Sequence, residues 1–111
     1  MIKSREPLEK LVVEEDVLII KVSGDIYARV GNIKNIDFPE EGDTVEKGDE
    51  IVHITGSEDE LSLKAPIAGV VLEINELFSD NMVAHKEDKE HQEWIVKLEP
   101  QDPDDLFGFE E

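Results

Sequence analysis

Cysteine does not occur among the 111 residues, which excludes disulfide staples, Cys-ligated zinc or iron–sulfur clusters and a thiol nucleophile. Positive charge is scarce: 11 Lys and Arg stand against 29 Asp and Glu, for a formal net charge of −18. Such a surface repels phosphate backbones and anionic leaflets, so nucleic acid and membrane are poor partners. Long apolar runs are missing as well. The longest stretch of large aliphatics is Val17-Leu18-Ile19-Ile20, far short of a membrane span or a signal-peptide core, and Met1 to Pro7 has no apolar block behind it. A cytoplasmic protein is the expectation. Hydrophobic residues nevertheless reach 39% beside 36% charged, enough for a modest core in one domain under a charged skin.

The apolar residues fall in short runs separated by Gly, Pro, Asp and Asn, the spacing of a small all-β domain. Leu11 to Val13 and Val17 to Val22 flank Glu14-Glu15-Asp16 as a hairpin. Ile33 to Phe38 stops at Pro39, and Glu50 to Ile54 follows a turn region bounded by Gly42 and Gly48. Leu61 to Ala65 alternates with period two, and Gly69 to Ile74 and Trp94 to Leu98 complete the set. Two segments read as short helices: Ser23 to Val30, closed at Gly31, and one or two turns after a capping cluster at Ser79-Asp80-Asn81. The stretch Gly42 to Ile51 is weakly echoed by Pro66 to Ile74, each entering a strand through a turn. Two such halves predict a flattened barrel or sandwich with quasi-twofold symmetry. Gly42, Gly48, Pro66 and Gly69 are expected to set the turns. Residues 1–16 read as an N-terminal arm and first strand, 17–100 as the domain, and 101–111 as an acidic flexible tail.

Gly31-Asn32-Ile33, Phe38-Pro39-Glu40-Glu41-Gly42-Asp43-Thr44-Val45-Glu46-Lys47-Gly48-Asp49 and Ala65-Pro66-Ile67-Ala68-Gly69-Val70-Val71-Leu72-Glu73-Ile74-Asn75-Glu76 together resemble the H-protein of the glycine cleavage system. Asp80-Asn81 and Trp94 to Pro100 extend the likeness, which covers roughly residues 17 to 100. The resemblance implies a mainly β barrel-sandwich hybrid shared with lipoyl and biotinyl carriers, with one or two short helices. It implies a hairpin that presents a lipoylated lysine to glycine decarboxylase, aminomethyltransferase and dihydrolipoyl dehydrogenase. In the family that lysine lies eleven residues before the Gly of the Pro-x-x-Gly turn. Counted back from Gly69, the position holds Glu58.

A carboxylate has no nitrogen to acylate, so lipoate cannot be joined to Glu58. The hairpin tip here is Gly56-Ser57-Glu58-Asp59-Glu60, acidic where the family's lysine has small and apolar neighbours. The segment before Val17 also lacks the family's counterpart, and the family's C-terminal helical segment is reduced to the acidic tail. The resulting expectation is an H-protein-like module without lipoate, acting by binding protein partners of the lipoyl or glycine-cleavage type. The alternative is a lipoyl carrier that uses another lysine, with Lys64 and Lys47 the candidates. Glu58-Asp59-Glu60 reads either as an acidic finger for a basic pocket or as a solvated turn.

Other residues are less specific. His53, His85 and His91 have no metal-ligand spacing, and the 29 acids fall into no catalytic motif, so no metal and no catalytic site of its own is expected. Trp94 reads as a core residue of an alternating strand. In the tail, Leu106, Phe107 and Phe109 read either as a short docking peptide or as a fold-back onto an apolar seam.

Overall fold

The computed structural model describes residues 9–24, 26–84 and 91–108. Eight strands and two short helices follow one another in the order β1 (Glu9–Glu14), β2 (Val17–Ser23), α1 (Ile26–Val30), β3 (Ile33–Asp37), β4 (Thr44–Val45), β5 (Glu50–Gly56), β6 (Glu60–Lys64), β7 (Gly69–Ile74), α2 (Phe78–Ala84) and β8 (Gln92–Pro100). Two antiparallel sheets result, one ordered β1-β2-β8-β7-β4 and the other β3-β5-β6.

Strand alternation places one face of each sheet inward. Leu18, Ile20 and Val22 of β2 meet Val71 of β7, Val96 and Leu98 of β8, Val52 and Ile54 of β5, and Leu63 of β6 in a single core. The helices cover it with residues four apart, which share a helix face: Ile26 with Val30, and Phe78 with Met82. The mainly β fold and flattened sandwich expected from the strand spacing are found, with the two sheets left open at their edges.

The β1–β2 turn has Glu15 at φ 50° and Asp16 at φ 65°, the positive pair that matches the twist of a two-residue hairpin. The weak echo between residues 42–51 and 66–74 has a physical counterpart, since Thr44 pairs with Val70 and Val45 with Gly69. A tighter repeat lies within residues 40–49. Glu40-Glu41-Gly42-Asp43 and Glu46-Lys47-Gly48-Asp49 form matching turns, each with the Asp amide donating to the Glu carbonyl (3.0 and 2.9 Å). In each, the Asp carboxylate accepts the Glu amide in return (3.1 and 2.9 Å). Gly42 and Gly48 both sit at φ 95°, where a side chain is strained. Gly69 is needed for a different reason, because a Cβ there would meet the Glu99 carbonyl across the β7–β8 pair.

Three expectations are corrected. Helix α2 begins at Phe78 and not after Ser79-Asp80-Asn81; Asn75 supplies the start, its Oδ1 accepting the Leu77 amide (3.1 Å) and its carbonyl the Phe78 amide (3.0 Å). Trp94 is half-buried and Ile95 fully buried, because a register shift opposite Ile20/Lys21 turns Trp94 out of the core, where the Lys97 ammonium lies 4.7 Å from its ring centroid. Residues 103–108 form a 3-10 helix and Leu106 is 2% exposed, inside the core. For Leu106 this is the fold-back of the two readings, and the tail up to Gly108 is held, beginning with the Gln101 amide on the Ala68 carbonyl (2.9 Å). The Phe107 side chain and Phe109 lie outside the described residues, as do His85 and Asp25.

Candidate functional site

Strands β5 and β6 form the hairpin whose tip holds Glu58. Their pairing ends at Thr55 opposite Glu60, and the Gly56 amide donates to the Asp59 carbonyl (2.9 Å). Ser57, Glu58 and Asp59 therefore make up the tip, all exposed. The backbone of this tip does not project freely. Glu58 donates its amide to the Val30 carbonyl (2.9 Å) and Ser57 donates its amide to the Asn32 carbonyl (2.8 Å). In return the Asn32 amide donates to Ser57 Oγ (3.0 Å).

The dock is the exit of helix α1. A helix end leaves carbonyls without intrahelical partners, and here the tip amide of Glu58 satisfies that of Val30. Gly31 turns the chain out of the helix at φ 80°, and a Cβ on it would collide with Ser57 and Glu58. A Cβ on Gly56 would collide with the Val30 carbonyl. Two glycines thus let backbone lie on backbone, while three carboxylates, Glu58, Asp59 and Glu60, face solvent. The tip contains no amine.

The candidate lysines lie elsewhere. Lys47 sits in the turn that precedes β5, and Lys64, at the end of β6, pairs opposite Glu50. Both are at the start of β5 whereas the tip follows its end, and seven extended residues span roughly 20 Å. Neither lysine reaches the position of Glu58.

Behind the tip, His53 joins the hairpin strands. Its Nε2 lies 2.6 Å from Glu60 Oε1, and its Nδ1 lies 3.0 Å from Glu50 Oε2 and 3.2 Å from Ser62 Oγ. The Glu60 hydrogen bond raises the imidazole above its ordinary 6.5; partial burial opposes this and Glu50 adds to it. A groove of about 740 Å³ opens beside it, lined by Asp37, Asp43, Asp49 and Glu50 over Phe38 and Ile51.

A second polar cluster is structural. Glu93 of β8 accepts from Asn75 (3.0 Å) and Asn81 (2.7 Å) and pairs with His91 (3.0 Å), tying α2 to the sheet. Burial disfavours its ionisation, but the hydrogen bonds from Asn81, His91 and Asn75 outweigh this and hold the carboxyl below its ordinary 4.5. A depressed carboxyl stabilises the fold above its unfolded value, and the contribution is lost as pH falls through the lower folded value. Stability measured by urea denaturation is therefore expected to decline below about pH 4.5 and to decline less in Glu93→Gln, whose side chain does not titrate.

The resemblance, counted back from Gly69, points to Glu58 in a hairpin, and the fold places Gly56, Ser57, Glu58, Asp59 and Glu60 at the turn between β5 and β6. Its dock on Val30, Gly31 and Asn32 was missed. The only sequence signal was Gly31-Asn32 closing a helix, which says nothing of a segment 25 residues on.

The profile of the family described as "Glycine cleavage H-protein" matches residues 3–109. Among curated proteins, the "Glycine cleavage system H protein" of Legionella pneumophila (strain Corby) is 30% identical over 93 residues, 84% of this chain and 74% of that protein. That of Gloeobacter violaceus is 30% identical over 100 residues, 90% of this chain and 78% of the relative. A crystal structure of a glycine cleavage system H protein from Mycobacterium marinum is similar in fold, with a TM-score of 0.65 at 19% identity, covering 81% of this chain and 71% of that one.

Proposed function

The chain belongs to the glycine cleavage H-protein family, and from that premise we propose that it is a non-catalytic binding module in which Glu58 replaces the lipoyl lysine. The observation that carries this is the tip itself: a docked turn with three exposed carboxylates and no amine, Glu58 occupying the position counted back from Gly69. Lipoate does not fit these residues, because its amide needs a lysine nitrogen. What remains is a carrier fold that presents an anionic finger where a carrier presents its arm.

The partners in this reading are proteins of the lipoyl or glycine-cleavage type: glycine decarboxylase, aminomethyltransferase or dihydrolipoyl dehydrogenase. The net charge of −18 favours encounter with a basic surface, so binding weakens as salt rises. Such partners support a cytoplasmic setting; no described helix is long and apolar enough to cross a membrane.

The test is the intact mass of protein from its native host, beside a sample co-expressed with a lipoate ligase and supplied with lipoate. An unmodified mass in both is expected. A mass increment mapped to Lys47 or Lys64 would return the chain to carrier function. For the binding role, capture of any of the three enzymes is expected to weaken in Glu58→Ala; unchanged capture would make the finger an idle turn.

A further inference from the structure

The hairpin carries a second device behind its tip, which shares Glu60 with the acidic finger. His53 lies on the outer face of β5, with Val52 and Ile54 turned into the core on either side. Around it stand Glu50 on its own strand, Glu60 and Ser62 on β6, and Asp37, which is registered directly opposite on β3. Asp43 and Asp49 face the same groove from its loops, and Lys64 pairs opposite Glu50. Each ring nitrogen is within hydrogen-bond distance of a carboxylate oxygen. Carboxylates only accept, so both nitrogens must donate, and a neutral imidazole has a single N–H. Bonding to both carboxylates at once takes an imidazolium, whereas the Ser62 hydroxyl also lets Nδ1 accept.

The geometry points to His53 as a two-position proton switch: protonated, it clamps Glu50 and Glu60 together; neutral, it accepts from the Ser62 hydroxyl and releases Glu50 into the groove. Which nitrogen loses the proton follows from the neighbours. Nδ1 has Ser62 Oγ at 3.2 Å, a hydroxyl that rotates to donate once the nitrogen carries a lone pair. Nε2 has only the short Glu60 contact and keeps its hydrogen. Deprotonation thus moves no backbone. It exchanges one partner of Nδ1 for another, removes the only cation from the groove lining, and leaves Glu50 beside Asp37, Asp43 and Asp49.

The sign follows from linkage. A histidine raised above its unfolded value lends stability that is full below that value and is lost as pH rises through the higher folded one. The β5–β6 hairpin is therefore tightest in mild acid and loosens toward alkaline pH. The groups involved lie on the surface, so substitutions leave the core intact.

Nitrogen NMR of the intact chain tests the switch. In the wild type, His53 is expected to titrate above 6.5, with Nε2–H as the neutral tautomer. Glu60→Ala and Glu50→Ala are each expected to shift the midpoint down, since both carboxylates favour the cation. Ser62→Ala is expected to shift it up, because it removes the only donor that favours the neutral ring. That opposite sign distinguishes an exchange of partners from a general effect of nearby charge. A wild-type midpoint at or below 6.5, an Nδ1–H tautomer at high pH, or a Ser62→Ala midpoint equal to or lower than the wild type would each overturn the proposal.

Discussion

Gly56→Ala is expected to lower stability by roughly 2–4 kcal/mol, from overpacking and the loss of the tip hydrogen bonds. The added Cβ points at the Val30 carbonyl, a backbone atom that no rotamer change can move aside. Relief requires the tip to lift, and lifting breaks the bonds from Ser57 and Glu58 to Asn32 and Val30. Urea denaturation measures the total, and amide exchange locates it: protection at Ser57 and Glu58 is expected to vanish while β2 and β8 stay protected. Glu58→Ala serves as the control. Its side chain is exposed and its amide remains, so a change within about 0.5 kcal/mol is expected. A Gly56→Ala protein as stable as the wild type would mean that the tip stands free of α1, and a free tip would remove the support for a rigid anionic finger.

Phe78→Ala is expected to cost more, roughly 3–5 kcal/mol, the range for removing a buried phenylalanine. The ring is fully buried, and with Met82 one turn on it is how α2 grips the core. The domain as a whole has only about 5–15 kcal/mol to lose, so a substantial share of its stability should go and the melting midpoint should fall by more than about 10 °C. Thermal melting and near-UV circular dichroism report it. The neighbouring Leu77 and Val83 are 59% and 58% exposed, and their alanine variants should melt close to the wild type. Equal losses at Phe78 and Leu77 would mean that α2 presents the other face.

The strands were legible because their signal is local: Gly69 to Ile74 is bounded by residues that only a turn accommodates, and β7 has those bounds. The α1 stop at Gly31 was legible for the same reason, and φ 80° there is the cause. What failed was non-local. Trp94 alternates with its neighbours as a core residue should, yet the register against β2 skips Ile95, with Ile20 opposite Val96 and Lys21 opposite Trp94, and Ile95 turns inward instead. For Leu106 the sequence leaves two readings open, docking peptide or fold-back, and only the packing, with the side chain 2% exposed, shows the fold-back. The position of Glu58 was readable by counting; that its amide caps a helix 28 residues earlier was not, since hydrogen bonds of backbone amides carry no side-chain code.

The last strand in the chain is not at the edge of its sheet. β8 lies between β2 and β7, so each of those strands lacks a neighbour until residues 92–100 exist. On the ribosome, β2, apolar and β-branched, waits with an open edge through the synthesis of about seventy further residues before β8 can complete the five-stranded sheet. The large excess of negative charge keeps such unfinished chains apart from one another during that interval. A nascent chain cut short before Gln92 would lose the seam of its sheet and the core with it, which places the point of commitment to folding at the emergence of β8.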